Sequence, residues 1–270
     1  MLGGMDKLTS AQNPRIKQIM RLKDRKDRDE TSLFLIEGYR EIKRAVEGKV
    51  SFHSLYICPE FFLGSNENTL ISQIHCPIFE LPQHLFDKIS YRDRPDGLIA
   101  IAHQMKFTLK DLKPRHLPPL YVVAESIEKP GNLGTILRSA DATGCDGVIV
   151  CDRCTDIYNP NVVRASVGTL FTLPVVEAKG AEAFNWLKSQ NIQVVAATPS
   201  AHYEYTNADL SGPLAIVVGT EQLGLTDLWM KSADIQVKIP MRGVADSLNV
   251  ATATTLLLYE ALRQRSHRLL

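Results

Sequence analysis

Consecutive rather than alternating apolar residues mark the strands of the second half of the chain: 120–125 (LYVVAE), 147–151 (GVIVC), 192–198 (IQVVAAT), 214–219 (LAIVVG) and 235–240 (IQVKIP). A strand that is apolar at successive positions is covered on both faces, and such runs separated by helical segments predict a mostly parallel sheet between two layers of helix. Ligands of such sheets sit beyond the carboxyl ends of the strands. The polar, glycine-containing stretches after residues 125, 219 and 240 are therefore where chemistry is expected. Earlier in the chain, 34–36, 55–57 and 98–102 predict short strands alternating with helices at 39–47 and 70–74, a smaller α/β domain. Between the halves, 105–119 (MKFTLKDLKPRHLPP) carries many charges and three prolines without apolar periodicity, and reads as a linker. The expected organisation is a first domain over 1–105, a linker over 106–118 and a second domain over 119–270, which also suits a chain of 270 residues.

Composition narrows the function only a little. With 44% hydrophobic and 23% charged residues the chain is an ordinary globular protein. Thirty-one Lys and Arg against thirty Asp and Glu exclude a protein that holds nucleic acid by bulk charge, so any such contact must come from a local patch. Five scattered cysteines, no secretory apolar region at the start and no apolar run near the roughly 18 residues of a membrane span point to a reducing, cytoplasmic setting. Cys151 and Cys154 form a C-x-x-C with no second pair at a useful spacing, so no metal is expected. The histidines are dispersed, and no G-x-G-x-x-G follows a strand.

Three loops carry the candidate chemistry. In 128–144 (EKPGNLGTILRSADATG) a strand enters a Pro130-Gly131 turn and then a helix. Gly131 and Gly134 allow close backbone approach. Asn132 near the helix start and Arg138 nearly two turns later can direct an amide and a guanidinium toward one ligand, or can be simply a cap and a solvated arginine. In 216–225 (IVVGTEQLGL) a buried strand ends at Gly219, where a cofactor can lie against the backbone, and Glu221 follows as a carboxylate able to orient an arginine or hydroxyl. In 239–262 (IPMRGVADSLNVATATTLLLYEAL), Ser247 or Asn249 begins a helix that is apolar on nearly every side and must be covered all round, a second subunit being one way to cover it. The loop before that helix mixes Met241, Gly243, Ser247 and Asn249, the blend of apolar contact and neutral hydrogen-bonding groups that an adenosine-like ligand needs.

The order of these loops resembles the SpoU branch of the SPOUT methyltransferases, whose motifs run Asn-x-Gly-x-x-x-Arg, Gly-x-Glu-x-x-Gly and Ile-Pro-Met-x-Gly-x-x-x-Ser-Leu-Asn-Val. Segment 167–175 (VGTLFTLPV) is similar to the family's connecting segment, and the resemblance spans about 119–265. It implies an α/β sheet whose C-terminal segment is tucked into a trefoil knot, a homodimer built around that knot, and S-adenosylmethionine held near Thr198, Gly219, Glu221, Leu223, Ile239, Met241, Ser247 and Leu248. The implied reaction is 2′-O-methylation of a ribose in structured RNA, with ribosomal RNA (23S-type) first and transfer RNA second. A non-catalytic RNA-binding or ribosome-assembly protein on the same fold is the reading from another class.

In the implied site, Arg138 is the matching catalytic residue. Guanidinium is effectively never deprotonated in proteins, so Arg138 is expected to bind the neighbouring phosphate and the 2′-oxygen rather than act as a base. Asn132 would hold the ribose or orient Arg138, Glu221 would fix the guanidinium, and Ser247 and Asn249 would order the site from the third loop. Near the N-terminus, Arg15, Lys17, Arg21, Lys23, Arg25, Lys26 and Arg28 crowd a predicted helix and its following loop, diluted by Asp24, Asp27, Asp29 and Glu30. This segment, with FLIEGYREIKRA at its core, resembles the L30e-like substrate-binding domain that precedes the catalytic domain in many SpoU enzymes. That resemblance implies RNA contact here and, from the loop 90–98 (SYRDRPDGL), by Arg92 and Arg94.

Overall fold

The computed structural model describes residues 6–152, 155–220 and 222–267. Two compact units emerge, one formed by residues 1–105 with 156–172 and the other by 106–155 with 173–270.

The first unit is built on five strands, β1 (Asp6–Lys7), β2 (Leu33–Glu37), β3 (Phe52–Ile57), β4 (Ile78–Glu80) and β5 (Leu98–His103), in the order β1-β4-β3-β5-β2. β5 runs antiparallel to both of its neighbours, and the other pairs are parallel. Helices α1 (Pro14–Arg21), α2 (Arg25–Thr31), α3 (Tyr39–Glu47), α4 (Asn66–Ile71) and α5 (Gln83–Ile89) accompany the sheet. The N-terminal basic segment is thus two helices rather than a helix and a loop. Asn13 caps α1, its side chain accepting from the backbone N–H of Arg15, and Pro14 follows at the first helical position. Ile16 and Ile19 bring the apolar face of α1 onto a core that includes Leu35, Tyr56, Phe86 and Ile101.

The second unit follows with β6 (Leu120–Glu125), α6 (Pro130–Ala142) and β7 (Gly147–Cys151). After α7 (Pro160–Ala165) come β8 (Val175–Ala178), α8 (Gly180–Ser189), β9 (Gln193–Ala197), β10 (Tyr203–Glu204), β11 (Leu214–Val218), α9 (Asp227–Ser232), β12 (Ile235–Lys238) and α10 (Val250–His267). The seven strands are ordered β10-β12-β9-β11-β6-β7-β8, and every pairing is parallel. β6, β7 and β11 are buried at every position, as continuous apolar runs require.

Two features depart from the sequence expectation. Residues 156–172, including α7, leave the second unit and pack with the first, so the second domain is not one continuous stretch. The expected linker also has a place in the second unit: Leu112 is buried in its core, and Asp146 accepts from the backbone N–H groups of Arg115 and Leu120.

The strand order itself locates the site. From β6 the chain builds outward through β7 and β8 on one side, then returns to build β9, β11 and β12 on the other. The winding reverses between β6 and β11, and in sheets of this kind a ligand crevice is expected beyond the carboxyl ends of the strands at that point.

Candidate active site

A cavity of about 300 Å³ lies at the carboxyl ends of β9, β11 and β12. Its wall draws on the segments after all three strands and on the start of α10, with Thr198, Gly219, Leu223, Ile239, Met241, Ser247 and Leu248 all lining it. Those are the residues expected at a donor site, apart from Glu221, which lies outside the described residues. Val250, Ala253 and Leu257 supply an apolar floor, while Lys238 and Asp246, which sequence reasoning passed over, add charge at the rim. A second cavity of about 90 Å³ adjoins the first, sharing Thr220, Gln222, Leu223 and Val250 with it and adding Lys129 and Asn132 from the segment after β6.

Local interactions hold these segments in shape. After β11 the chain folds back tightly, with a bridge between Thr220 and Gly224. Gly224 N–H donates to Thr220 O at 3.1 Å, and Leu223 N–H to Thr220 Oγ1 at 2.9 Å. A Cβ at Gly219 would stand 2.4 Å from the Gly224 carbonyl oxygen. Gly219 is therefore required by the turn itself, a different reason from the cofactor approach expected of it. At Gly131 an added Cβ would meet nothing within 4 Å, so close approach within this chain does not explain that glycine.

Asn249, rather than Ser247, caps α10. Its Oδ1 accepts from the backbone N–H of Ala251 at 3.0 Å, and its Nδ2 donates to Asn132 Oδ1 at 3.0 Å. One amide therefore starts the C-terminal helix and ties it to the first turn of α6. Asn132 is the third residue of α6, whose helix begins at Pro130, as suits a proline at its first position. Arg138 stands exposed on the same helix, lines neither cavity, and makes no ion pair among the described residues. The structure thus brings Asn132, Ser247 and Asn249 to the two cavities and leaves Arg138 on the solvent side of α6.

In the first unit the nine expected phosphate contacts separate into distinct groups. Arg28 is a correction: it is 1% exposed, its guanidinium paired with Asp156 at 2.6 Å and donating to the carbonyls of Leu22 and Lys23. Arg92 also turns inward, pairing with Glu41 at 2.8 Å and donating to the Glu37 carbonyl at 2.9 Å, so it holds the 90–98 loop in place. Arg21 pairs with Asp27, Arg25 with Asp29 and Lys26 with Glu30 along the helix surface. Arg15 lies over Phe79 and Lys23 over Tyr91, with partial burial holding the Lys23 pKa below its usual value. Lys17 and Arg94 are exposed, with no ion-pair partner among the described residues. No group of three or more candidate metal ligands occurs among the described residues, which exclude Cys154. Likewise, no described helix is long and apolar enough to cross a membrane.

Comparison with known proteins converges on one family. Residues 119–259 match the SpoU rRNA Methylase family and residues 13–100 the MRM3-like substrate binding domain. The chain is 32% identical over 251 residues, 90% of its own length and 87% of the relative's, to the 23S rRNA (uridine(2479)-2′-O)-methyltransferase of Streptomyces viridochromogenes. Among solved structures, one described as an RNA 2′-O ribose methyltransferase superposes with a TM-score of 0.85 at 44% identity, over 98% of this chain and 100% of that one. An AdoMet-bound rRNA methyltransferase from Sinorhizobium meliloti gives a TM-score of 0.87 at 32% identity, over 96% and 98% of the two chains.

Proposed function

Because the chain belongs to the SpoU rRNA methylase family, we propose that its two adjoining cavities are the donor and acceptor halves of one methyl-transfer site. The protein is an S-adenosylmethionine-dependent RNA methyltransferase that acts on the 2′-hydroxyl of a ribose in ribosomal RNA. The observation that carries the proposal is the convergence of Thr198, Gly219, Met241, Ser247 and Leu248 from separate segments onto a single cavity. Its volume, about 300 Å³, lies at the lower end of the roughly 300–1,000 Å³ usual for small-molecule pockets. Apolar walls for a purine and neutral polar groups for a ribose are both present. When bound, the donor supplies a methyl carbon on a sulfonium.

The chain's own residues have the remaining work of positioning the acceptor and easing the loss of its proton, since a ribose hydroxyl is a very weak acid. In our reading Asn132, at the second cavity, orients the acceptor ribose, and Asn249 holds Asn132. Arg138 binds the neighbouring phosphate and the 2′-oxygen as a permanently charged group. Glu221 retains its proposed role of fixing that guanidinium, and Ser247 orders the donor side.

The finer architecture is part of the same proposal. β12 pairs on the far side of β9, yet α10 packs against α6 and β11, so the chain after Lys238 must cross back over the carboxyl ends of the sheet. That return supports a trefoil knot, which an experimental map tracing 239–249 would test. The mixed sheet of the first unit supports an L30e-like substrate-binding domain built on 1–105, with the second unit, 106–155 and 173–270, as the catalytic domain. Arg15, Lys17, Lys23 and Arg94 are its candidate RNA contacts, with Arg21, Arg25 and Lys26 at the periphery. Cys58 and Cys145 are buried thiols rather than halves of a disulfide, which suits a cytoplasmic protein.

A homodimer is proposed from α10. Leu256, Tyr259 and Leu262 remain 38%, 49% and 36% exposed and recur at helical spacing on a helix whose Val250, Leu257, Leu258 and Ala261 are buried. Tyr259→Lys is expected to convert a dimer into a monomer in sedimentation experiments. A wild-type protein that sediments as a monomer at micromolar concentration would remove the dimer from the proposal.

The function is tested by mapping 2′-O-methyl positions in ribosomal and transfer RNA from cells with and without the protein, alongside calorimetric titration of the purified protein with S-adenosylmethionine. One ribosomal position is expected to lose its methyl group. Donor binding with no transfer to any RNA pool, assembly intermediates included, would favour a non-catalytic assembly protein, and a lost transfer RNA position would redirect the substrate.

A further inference from the structure

Glu125, the last residue of β6, is that strand's only charged residue and is 1% exposed. A buried carboxylate needs compensating donors, and a single residue supplies two of them. Oε2 accepts from the backbone N–H of Thr226 at 2.8 Å and Oε1 from the Thr226 hydroxyl at 2.7 Å. Thr226 immediately precedes α9 and ends the segment that leaves β11. The carboxylate thus spans the point where the winding of the sheet reverses, fastening the end of β6 to the far end of the turn that walls both cavities. At its near end that turn is self-supporting, through the Thr220–Gly224 bridge and the close approach of Gly219 to Gly224. Neither Glu125 nor Thr226 lines either of these two cavities.

We propose that Glu125 is a positioning residue for the methyl donor, acting through Thr226 to hold the turn after β11 at the height where Gly219, Thr220 and Leu223 close the donor cavity. This inference rests on the donor reading of that cavity. A pair of charge-assisted hydrogen bonds is directional, whereas apolar packing at the same place would let the turn slide along the sheet end. A residue that merely satisfied its own burial would affect folding and leave donor affinity alone.

The full-length protein carrying Thr226→Val, Thr226→Ser or Glu125→Gln separates these roles. Thr226→Val keeps the shape and the backbone donor but loses the hydroxyl; Thr226→Ser keeps both donors; Glu125→Gln keeps the shape, removes the charge and turns one of the two accepting oxygens into an N–H donor. Calorimetry with S-adenosylmethionine is expected to show binding about tenfold weaker in Thr226→Val and Glu125→Gln, the size of one lost charge-assisted hydrogen bond, with wild-type affinity in Thr226→Ser. The KM for RNA should stay within about twofold of wild type, as expected for a residue that acts only on the donor side. In the ligand-free protein, amide exchange at Leu223 and Gly224 should accelerate in the two weakened variants. Donor affinity unchanged in folded Thr226→Val overturns the proposal, whatever the exchange shows, and that variant alone decides if Glu125→Gln does not fold. If the wild type itself fails to bind the donor, the donor reading falls instead, and unchanged exchange in Thr226→Val then overturns the proposed hold on the turn as well.

Discussion

Replacing Arg138 by alanine is expected to lower methyl transfer to RNA by about 10²–10³-fold, the usual effect of removing one preorganised donor from a developing oxyanion, while donor affinity stays at the wild-type value. The two halves of that expectation come from different observations. The guanidinium lines neither cavity, so nothing in donor binding depends on it. It is also exposed, which leaves its fork of donors accessible to a phosphate and an adjacent sugar oxygen. Because guanidinium stays protonated, its contribution is charge and geometry rather than proton transfer. Arg138→Lys keeps the charge but loses the fork, and should recover only a small part of the rate. Single-turnover transfer to unmodified ribosomal RNA, with calorimetry of donor binding, separates the two effects. Near wild-type rates in both variants would remove Arg138 from the mechanism.

The sheet was legible because burial on both faces leaves an unmistakable trace. Residues 120–125 and 147–151 were delimited to the residue, since β6 and β7 are covered throughout and their runs end at a polar or turn residue. β8 escaped because its VVEA is only four residues long, follows Pro174 and merges with the connecting segment. β10, with two residues, has no periodicity to detect. The departure of 156–172 into the first unit is equally invisible, because a short helix beginning at Pro160 looks the same whichever core it joins.

The donor side of the site could be read from the order of its loops. Glu125 could not, although a carboxylate closing a wholly apolar strand was a usable signal, since such groups are almost never buried without partners. The basic segment was the least legible part. DRKDRDE places acids beside and one turn away from the bases, and only coordinates reveal which arginine points inward.

That ambiguity turns into a measurable difference at Arg28, where Arg28→Ala is expected to destabilise the first unit by about 3–5 kcal/mol, the range for breaking a buried ion pair. Against a total stability of roughly 5–15 kcal/mol, such a loss is large enough to unfold a substantial fraction of the molecules. The size follows from what would be stranded. Asp156 is 8% exposed and would be left buried without the partner now 2.6 Å away. The carbonyls of Leu22 and Lys23, at the end of α1, would lose donors now at 2.8 and 2.7 Å. Replacing both partners, as in Arg28→Met with Asp156→Leu, should restore only part of the stability, because the two carbonyls remain unpaired. Urea midpoints measure the effect, and RNA binding by the folded fraction distinguishes it from a surface role. Lys17→Ala and Arg94→Ala should do the opposite, weakening RNA binding and flattening its salt dependence with the midpoint unmoved. An Arg28→Ala protein that kept its midpoint and lost only RNA affinity would return Arg28 to the phosphate-facing surface.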